Sequence, residues 1–169
     1  MQPVREHIDR RYSDEGAEAV PWGDAETRLA AAQVTWVVTV RPDGRPHATP
    51  VVAVLHERKV YFHTGSAEVK YANLQANPHV LVLSGDTAWD RGLDVAVEGT
   101  AVAVSDDALL RRLAARYRDR WDGRWDLDVH NGAVVSKTPG IQLVVFEVTP
   151  AKAYAYAKGG PFSQTTYRL

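Results

Sequence analysis

The sequence predicts a small antiparallel β-barrel with helices packed against its outside. Three observations support this fold class: short segments rich in β-branched residues, turn residues between those segments, and no nucleotide-binding fingerprint of a parallel sheet. Segments of this kind recur along most of the chain, and so many strands need a closed sheet or a second sheet to remove exposed edges.

Length and composition limit the class of protein. With 169 residues, of which 45% are hydrophobic and 24% charged, the chain is expected to form one globular domain. Cysteine is absent, which excludes disulfides, zinc–thiolate sites, iron–sulfur clusters and thiol nucleophiles. A net charge of −1 argues against a nucleic-acid partner. No apolar run matches a membrane span or a signal peptide, so a cytoplasmic location without a membrane partner is expected.

The first half of the chain predicts an arm, a helix and three strands. Residues 1–23 show no sustained period and are interpreted as an N-terminal arm, which leaves 24–169 as the barrel domain. Asp24 is the expected N-cap of a helix that continues to about Gln33. Three strands with short connections then indicate an antiparallel meander, at 34–40, 46–56 and 59–63.

The second half predicts two further helices and three further strands. Ser66 is expected to cap a helix that ends at Asn77-Pro78. Strands at 79–84 and 93–104 follow, and Gly99 indicates a bulge or a sharp bend in the second of them. The remaining expected elements are a helix at 106–120, an irregular segment at 121–140, a long strand at 141–156 interrupted at Pro150, and a closing tail.

The residue patterns predict neither a metal site nor a hydrolase. None of the six histidines forms an HxxxH or HxH pair, and each is interpreted as an ordinary surface or core residue. No GxSxG nucleophile elbow is present. No residue is therefore assigned a catalytic role and no metal is expected.

One segment predicts an anion site. A strand passes through a Thr-Gly-Ser turn into a helix, so free backbone amides gather near the hydroxyl groups of Thr64 and Ser66. Lys70 follows Ser66 by about one helical turn and adds a cationic donor on the same side. The alternative interpretation is that the two hydroxyl groups only cap the helix and that Lys70 is solvated.

A second segment predicts an open strand edge. Pro50 lies in the segment His47–Val52 of the predicted strand 46–56 and cannot donate a ladder hydrogen bond. Its neighbours therefore keep backbone groups free for a planar heterocycle with donors and acceptors along its edge. The alternative is an ordinary edge strand.

Four blocks occur in order over residues 25–169: WVVTVRPDGRPHATPVVAV, VYFHTGSAEVKYANLQANPHVLV, DVAVEGTAVAV and GGPFSQTTYRL. Together they resemble the pyridoxamine 5′-phosphate oxidase-like split barrels, and more narrowly the flavin/deazaflavin oxidoreductases that use FMN or coenzyme F420. The resemblance implies a mainly β fold with helices, built as a six-stranded antiparallel split barrel. It also implies a homodimer with the cofactor in a groove at the subunit interface.

The resemblance assigns cofactor-binding residues in three groups. The cofactor phosphate is assigned to Thr64, Ser66 and Lys70, with Asn73 near that end. The ring is assigned to the strand residues His47, Thr49, Pro50 and Val51. The tail residues expected to fold towards the same groove are Phe162, Ser163, Gln164 and Arg168.

The implied function is hydride transfer between reduced F420 and a small electrophilic acceptor with a C=C, C=O or C=N bond. Alternatives are an FMN-dependent oxidoreductase on the same fold, or a non-catalytic protein that binds flavin, haem or a tetrapyrrole. Val69 and Ala72 stand where many relatives carry arginine, so the phosphate site has fewer cations than the family pattern.

Two roles near the acceptor stay open at the level of sequence. The proton that balances hydride transfer is assigned to Tyr61, Tyr167, His47 or a bound water, with no choice among them. Trp121 and Trp125 are expected either to line an acceptor pocket or to serve in packing.

Overall fold

A computed structural model describes residues 4–137 and 141–169 of the chain. Within these residues the helices are α1 (Trp22–Ala31), α2 (Val69–Ala76) and α3 (Asp107–Arg120), and a short 3-10 helix covers Arg10–Tyr12. The strands are β1 (Arg5–Ile8), β2 (Thr35–Val40), β3 (Pro46–Val51), β4 (Ala53–His56), β5 (Lys59–Gly65), β6 (His79–Ser84), β7 (Gly92–Ala103), β8 (Leu127–His130), β9 (Ala133–Ser136), β10 (Gln142–Lys158) and β11 (Ser163–Arg168). No helix of the described residues is long and apolar enough to cross a membrane.

The strands close into an antiparallel barrel. Pairing runs from β3 through β2, β6, β7 and β10 to β5, and from β5 to β4. Only Val52 separates β3 from β4, so the ring of pairs closes at that residue. The predicted split-barrel fold with outer helices is therefore confirmed, with β3 and β4 acting as one interrupted strand.

The long strand β10 joins the barrel to a side sheet. Its first half pairs with β5, its second half pairs with β11, and β7 accompanies it along most of its length. The register shifts between Pro150 and Lys152, opposite Gly99. A Cβ atom on Gly99 would lie 2.6 Å from the carbonyl oxygen of Thr149, so only glycine fits there. The irregularity predicted at Gly99 is present, but β10 carries the extra residue.

Alternation along β5 divides the core in two. Phe62 points into the barrel and stacks on Phe146, with 5.6 Å between ring centroids. Tyr61 points outward and belongs to a second cluster with Leu113 and Tyr117 of α3. The apolar stripe of α3 thus covers the outer face of β5, which places α3 beside the interruption at Val52.

Two helices begin at different residues from those predicted. Helix α1 starts at Trp22 after Pro21, because the buried Trp22 ring packs edge-on against Tyr167 and draws the first turn inward. Helix α2 starts at Val69 with Glu68 as its N-cap residue, so the prediction of Ser66 as the cap is wrong. Ser66 lies in an exposed turn, closed by a hydrogen bond of 3.1 Å from the Glu68 amide to the Gly65 carbonyl.

Segments predicted to be irregular contain strands. In 121–140, strands β8 and β9 form a hairpin around Asn131-Gly132, both at positive φ, which is a strong two-residue turn signal. Residues 138–140 of that segment lie outside the described residues. The tail forms β11, and the arm contributes β1, which pairs with β11. The predicted boundary at residue 23 stays a prediction, although part of the arm belongs to the sheet.

Candidate functional site

A cleft of about 480 Å³ opens where β3 gives way to β4. Among the described residues, β3 pairs with β2 and leaves its other edge without a strand. The walls of the cleft are mostly apolar and include Pro50, Val51, Trp125, Ile141 and Leu143. Its polar lining consists of His63, Glu68, Lys70 and Ser136. This volume lies within the range of roughly 300–1,000 Å³ that is usual for small-molecule sites.

A carboxylate of the chain occupies the predicted anion site. Glu68 Oε1 accepts a hydrogen bond of 2.6 Å from the Gly65 amide, and Lys70 Nζ donates to Glu68 Oε2. Partial burial by itself raises the pKa of Glu68, but hydrogen bonds from Lys70, Gly65 and Thr64 together lower it. The turn therefore does bind an anion, and that anion is the side-chain carboxylate of Glu68.

The predicted phosphate residues differ in their surroundings. Lys70 is only 6% exposed and is paired with Glu68, so the alternative of a solvated lysine is wrong. Thr64 is buried beside the same carboxylate. Ser66 is exposed and does not line the cleft. The structure therefore brings Thr64 and Lys70 together around Glu68 and leaves Ser66 outside.

Asn73 takes part in a buried structural contact. Its amide donates a hydrogen bond of 2.9 Å to Thr39 Oγ1, and Thr39 in turn donates to the carbonyl oxygen of His47 at 3.3 Å. Asn73 thereby ties α2 to β2 and does not line the cleft.

His63 is a polar cleft residue to which the sequence assigned no role. It is 8% exposed, its ring centroid lies 5.0 Å from those of Tyr117 and Trp125, and its Nε2 has no hydrogen-bond partner among the described residues. Burial lowers the pKa of His63 to about 4, so the imidazole is neutral at pH 7. The sequence signal for this role was its position in β5: His63 alternates with the core residue Phe62 and lies just before the turn that carries the predicted anion site.

The predicted ring-binding residues divide between the cleft and the barrel. Pro50 and Val51 line the cleft. His47 and Thr49 do not line it, but His47 Nδ1 and Thr49 Oγ1 are buried without a hydrogen-bond partner in the part of the chain that the structure describes. These unpaired polar atoms lie on the strand whose outer edge is open.

The tail lies on a different surface of the same chain. Gln164 and Arg168 line a second cleft of about 670 Å³ with Arg5, Lys152 and Tyr154. The backbone amide of Phe162 binds Asp14, and Ser163 is buried in the side sheet; neither lines the cleft beside β3. Within one chain, the tail does not meet that cleft, and its contact with a cofactor stays a prediction that requires a second subunit.

The aromatic candidates are also separated by the fold. Trp125 lines the cleft, whereas Trp121 stacks on Tyr117 with 5.8 Å between centroids. The Tyr61 hydroxyl donates to Glu147 at 2.8 Å, and the Tyr167 hydroxyl donates to the Val20 carbonyl at 2.7 Å. Neither tyrosine lines the cleft, so neither is placed to give a proton there.

Residues 23–157 match the sequence profile of the family described as pyridoxamine 5′-phosphate oxidase. This chain belongs to the pyridoxamine 5′-phosphate oxidase family. A search of curated proteins finds no significant match.

Several solved structures share the fold of this chain. A protein named F420 reductase is 26% identical with a TM-score of 0.58, covering 79% of this chain and 98% of that one. A conserved hypothetical protein of Mycobacterium tuberculosis is 18% identical, with a TM-score of 0.66 and coverages of 82% and 85%. An FMN-binding protein of Nostoc punctiforme, related to pyridoxamine 5′-phosphate oxidase, is 16% identical, with a TM-score of 0.58 and coverages of 88% and 91%.

Proteins of the pyridoxamine 5′-phosphate oxidase family bind flavins. The apolar cleft and the unpaired Nε2 of His63 fit a planar ring that carries a hydrogen-bonding group. The phosphate end fits less well, because Glu68 already takes the Gly65 amide and the Lys70 ammonium group.

Proposed function

We propose that this chain is a flavin-type oxidoreductase, and specifically one that transfers hydride between reduced coenzyme F420 and a small electrophilic acceptor. The observation that carries the proposal is the apolar cleft at the open edge of β3, which has the buried, unpaired imidazole of His63 in its wall. The similarity to a protein named F420 reductase supports the deazaflavin branch.

The cleft supplies what a redox ring needs from a protein. The bound deazaflavin would supply the hydride for a C=C, C=O or C=N bond. Pro50 and Val51 present an apolar strand edge to one side of the cleft, and Trp125 closes another side. These apolar walls would shield a bound ring from water, and the neutral His63 would offer a hydrogen bond to the ring or to the acceptor. The proposed roles of the protein are thus to bind the cofactor ring, to orient the acceptor and to shield both from water.

We also propose that the chain acts as a homodimer. The outward face of β2 and β6 is apolar and is not covered by a helix of the described residues. Trp36 is 48% exposed opposite Leu83, and Val38 lies opposite Leu81. Trp36 also pairs with Pro50, so this face continues into the cleft. A second copy seated here would cover the apolar face and bring its own tail near the cleft.

Titration of the purified, cofactor-free protein with F420 and with FMN tests the cofactor. We expect tight binding of F420 with quenching of tryptophan fluorescence, because Trp125 lines the cleft. Trp125→Phe should lose most of that quenching. Trp121→Phe is the matched control and should keep it, because Trp121 packs on Tyr117 outside the cleft.

The titration also separates the alternatives. Binding of FMN without F420 would replace the deazaflavin assignment by an FMN-dependent oxidoreductase. Binding of haem with neither cofactor would instead identify a non-catalytic carrier. An F420-bound protein then enters an acceptor screen, in which oxidation of reduced F420 is followed by absorbance.

Sedimentation of the wild type tests the dimer. We expect a dimer that Trp36→Lys converts to a monomer, because the substitution places a charge in the apolar interface. Trp89→Lys is the control; Trp89 is exposed but lies outside this face, in the loop between β6 and β7. A monomeric wild type at micromolar concentration would contradict the proposal.

A further inference from the structure

The Glu68 carboxylate is held as a bound anion would be held. Its two oxygens take the Gly65 amide and the Lys70 ammonium group, and the buried side chain of Thr64 lies beside them. A Cβ atom on Gly65 would lie 3.2 Å from Glu68 Oε1, so the carboxylate packs directly against the backbone of the turn. Two of these partners, Thr64 and Lys70, are those assigned to a cofactor phosphate.

The charge of Lys70 requires an anion at this place. The Lys70 side chain is 7% exposed, and a buried ammonium group is costly unless a negative charge pairs with it. Glu68 is the acid that the described residues provide as its partner. The Glu68 side chain is itself 49% exposed, so it can rotate into water when another anion takes its place. The site thus admits one of two occupants, the protein carboxylate or a ligand anion.

We infer that Glu68 is an internal occupant of the anion site, which the phosphate of a ligand must displace, and that it selects against the dianionic terminal phosphate of FMN more strongly than against the singly charged phosphodiester of F420. The selection arises because the displaced carboxylate stays near the incoming phosphate and repels it, while a single lysine serves both. His63, buried in the same cleft with an unpaired Nε2, indicates that the neighbouring volume receives the rest of the ligand. The flavin part of this inference rests on the proposed function.

FMN and riboflavin provide the direct test because they differ only in the phosphate. Glu68→Gln keeps the size of the side chain and an oxygen for the Gly65 amide, but removes the charge. We expect the variant to bind FMN about tenfold more tightly than the wild type, with riboflavin affinity unchanged. Glu18→Gln is the matched control, because Glu18 is exposed and lies outside the cleft, and it should leave both affinities unchanged.

A second variant tests whether the increase in FMN affinity depends on Lys70. Adding Lys70→Met to Glu68→Gln should abolish the increase in FMN affinity, because the freed cation is then missing. Equal FMN affinities in the wild type and Glu68→Gln would overturn the inference. So would a gain for riboflavin as large as the gain for FMN, since Glu68 would then act on the ring.

Inorganic phosphate separates this inference from the proposed function. If neither flavin binds either protein, the flavin assignment fails, but the anion site can still be examined by NMR. We expect phosphate to shift the Gly65 amide resonance at about tenfold lower concentration in Glu68→Gln than in the wild type. Equal titrations, or no shift in either protein, would show that no ligand anion displaces Glu68.

Discussion

The side-chain amide of Asn73 donates a hydrogen bond of 2.9 Å to the hydroxyl group of Thr39, and both side chains are buried. The bond joins α2 to β2 across the end of the barrel. It keeps the helix that carries Lys70 in place beside the cleft, although Asn73 itself does not reach the cleft.

Asn73→Ala is therefore expected to reduce stability more than it changes any direct contact with a ligand. Loss of the buried bond should lower the free energy of unfolding by about 1–3 kcal/mol. Denaturant unfolding measures the change. Gln75→Ala, on the exposed side of the same helix, should have almost no effect. If Asn73→Ala and Thr39→Val acted additively, the bond would not be the source of the loss.

His63 should make stability depend on pH. Its pKa is lowered to about 4 by burial, whereas an unfolded histidine titrates near 6.5, so the unfolded state binds more protons between these values. The contribution of neutral His63 is complete above pH 6.5 and is lost as the pH falls towards 4, by about 3 kcal/mol. Unfolding of the wild type and His63→Gln across this range isolates the effect. Parallel curves would show that His63 titrates normally.

Gly99 should not tolerate a side chain. A Cβ atom there would approach Thr149 O at 2.6 Å and Val148 Cγ1 at 2.7 Å. Gly99→Ala is expected to lower the free energy of unfolding by about 1–3 kcal/mol, because β7 and β10 must separate. Gly23→Ala is the contrast, because its Cβ atom meets nothing within 4 Å in α1. That variant should be neutral or slightly stabilising, and a similar loss in both would point away from crowding.

Tyr61 and Tyr167 should be dispensable for ligand binding and turnover. Their hydroxyl groups donate to Glu147 and to the Val20 carbonyl, away from the cleft. Tyr61→Phe and Tyr167→Phe are each expected to cost about 1 kcal/mol of stability and to leave cofactor affinity and the rate of hydride transfer unchanged. Stopped-flow rates at saturating cofactor measure the second point. A large loss of rate in either variant would return that tyrosine to the list of proton donors.

Local signals were sufficient for the elements whose ends are fixed by their own residues. Asp106 caps α3 through a hydrogen bond of 2.6 Å from the Leu109 amide, and Gly44 adopts the positive φ that its turn requires. The strand β6 has the predicted bounds, 79–84. In each case, a residue within a few positions supplies the decisive interaction.

Elements and site residues that depend on partners far away along the chain could not be predicted from local sequence. The arm residues 5–8 form β1 because they pair with the edge of β11, and β11 in turn pairs with β10. In the sequence, Glu68 looks like an ordinary acidic residue near the start of a helix, because the sequence does not show that its carboxylate binds the Gly65 amide and Lys70. His63 becomes a cleft residue through Trp125, which is far away along the chain. The Asn131-Gly132 turn is the exception, because its two-residue signal is entirely local.

The position of β10 determines when this barrel can form. Residues 142–158 provide the partner for one edge of β5 and for one edge of β7. During synthesis, every fragment that ends before residue 142 leaves both edges unpaired, and open edges invite pairing between chains. Closure also spans a large separation along the chain, as between Tyr61 and Glu147, which slows folding. Folding is therefore expected to depend on residues 142–158, and truncations that remove them should aggregate rather than fold into smaller barrels.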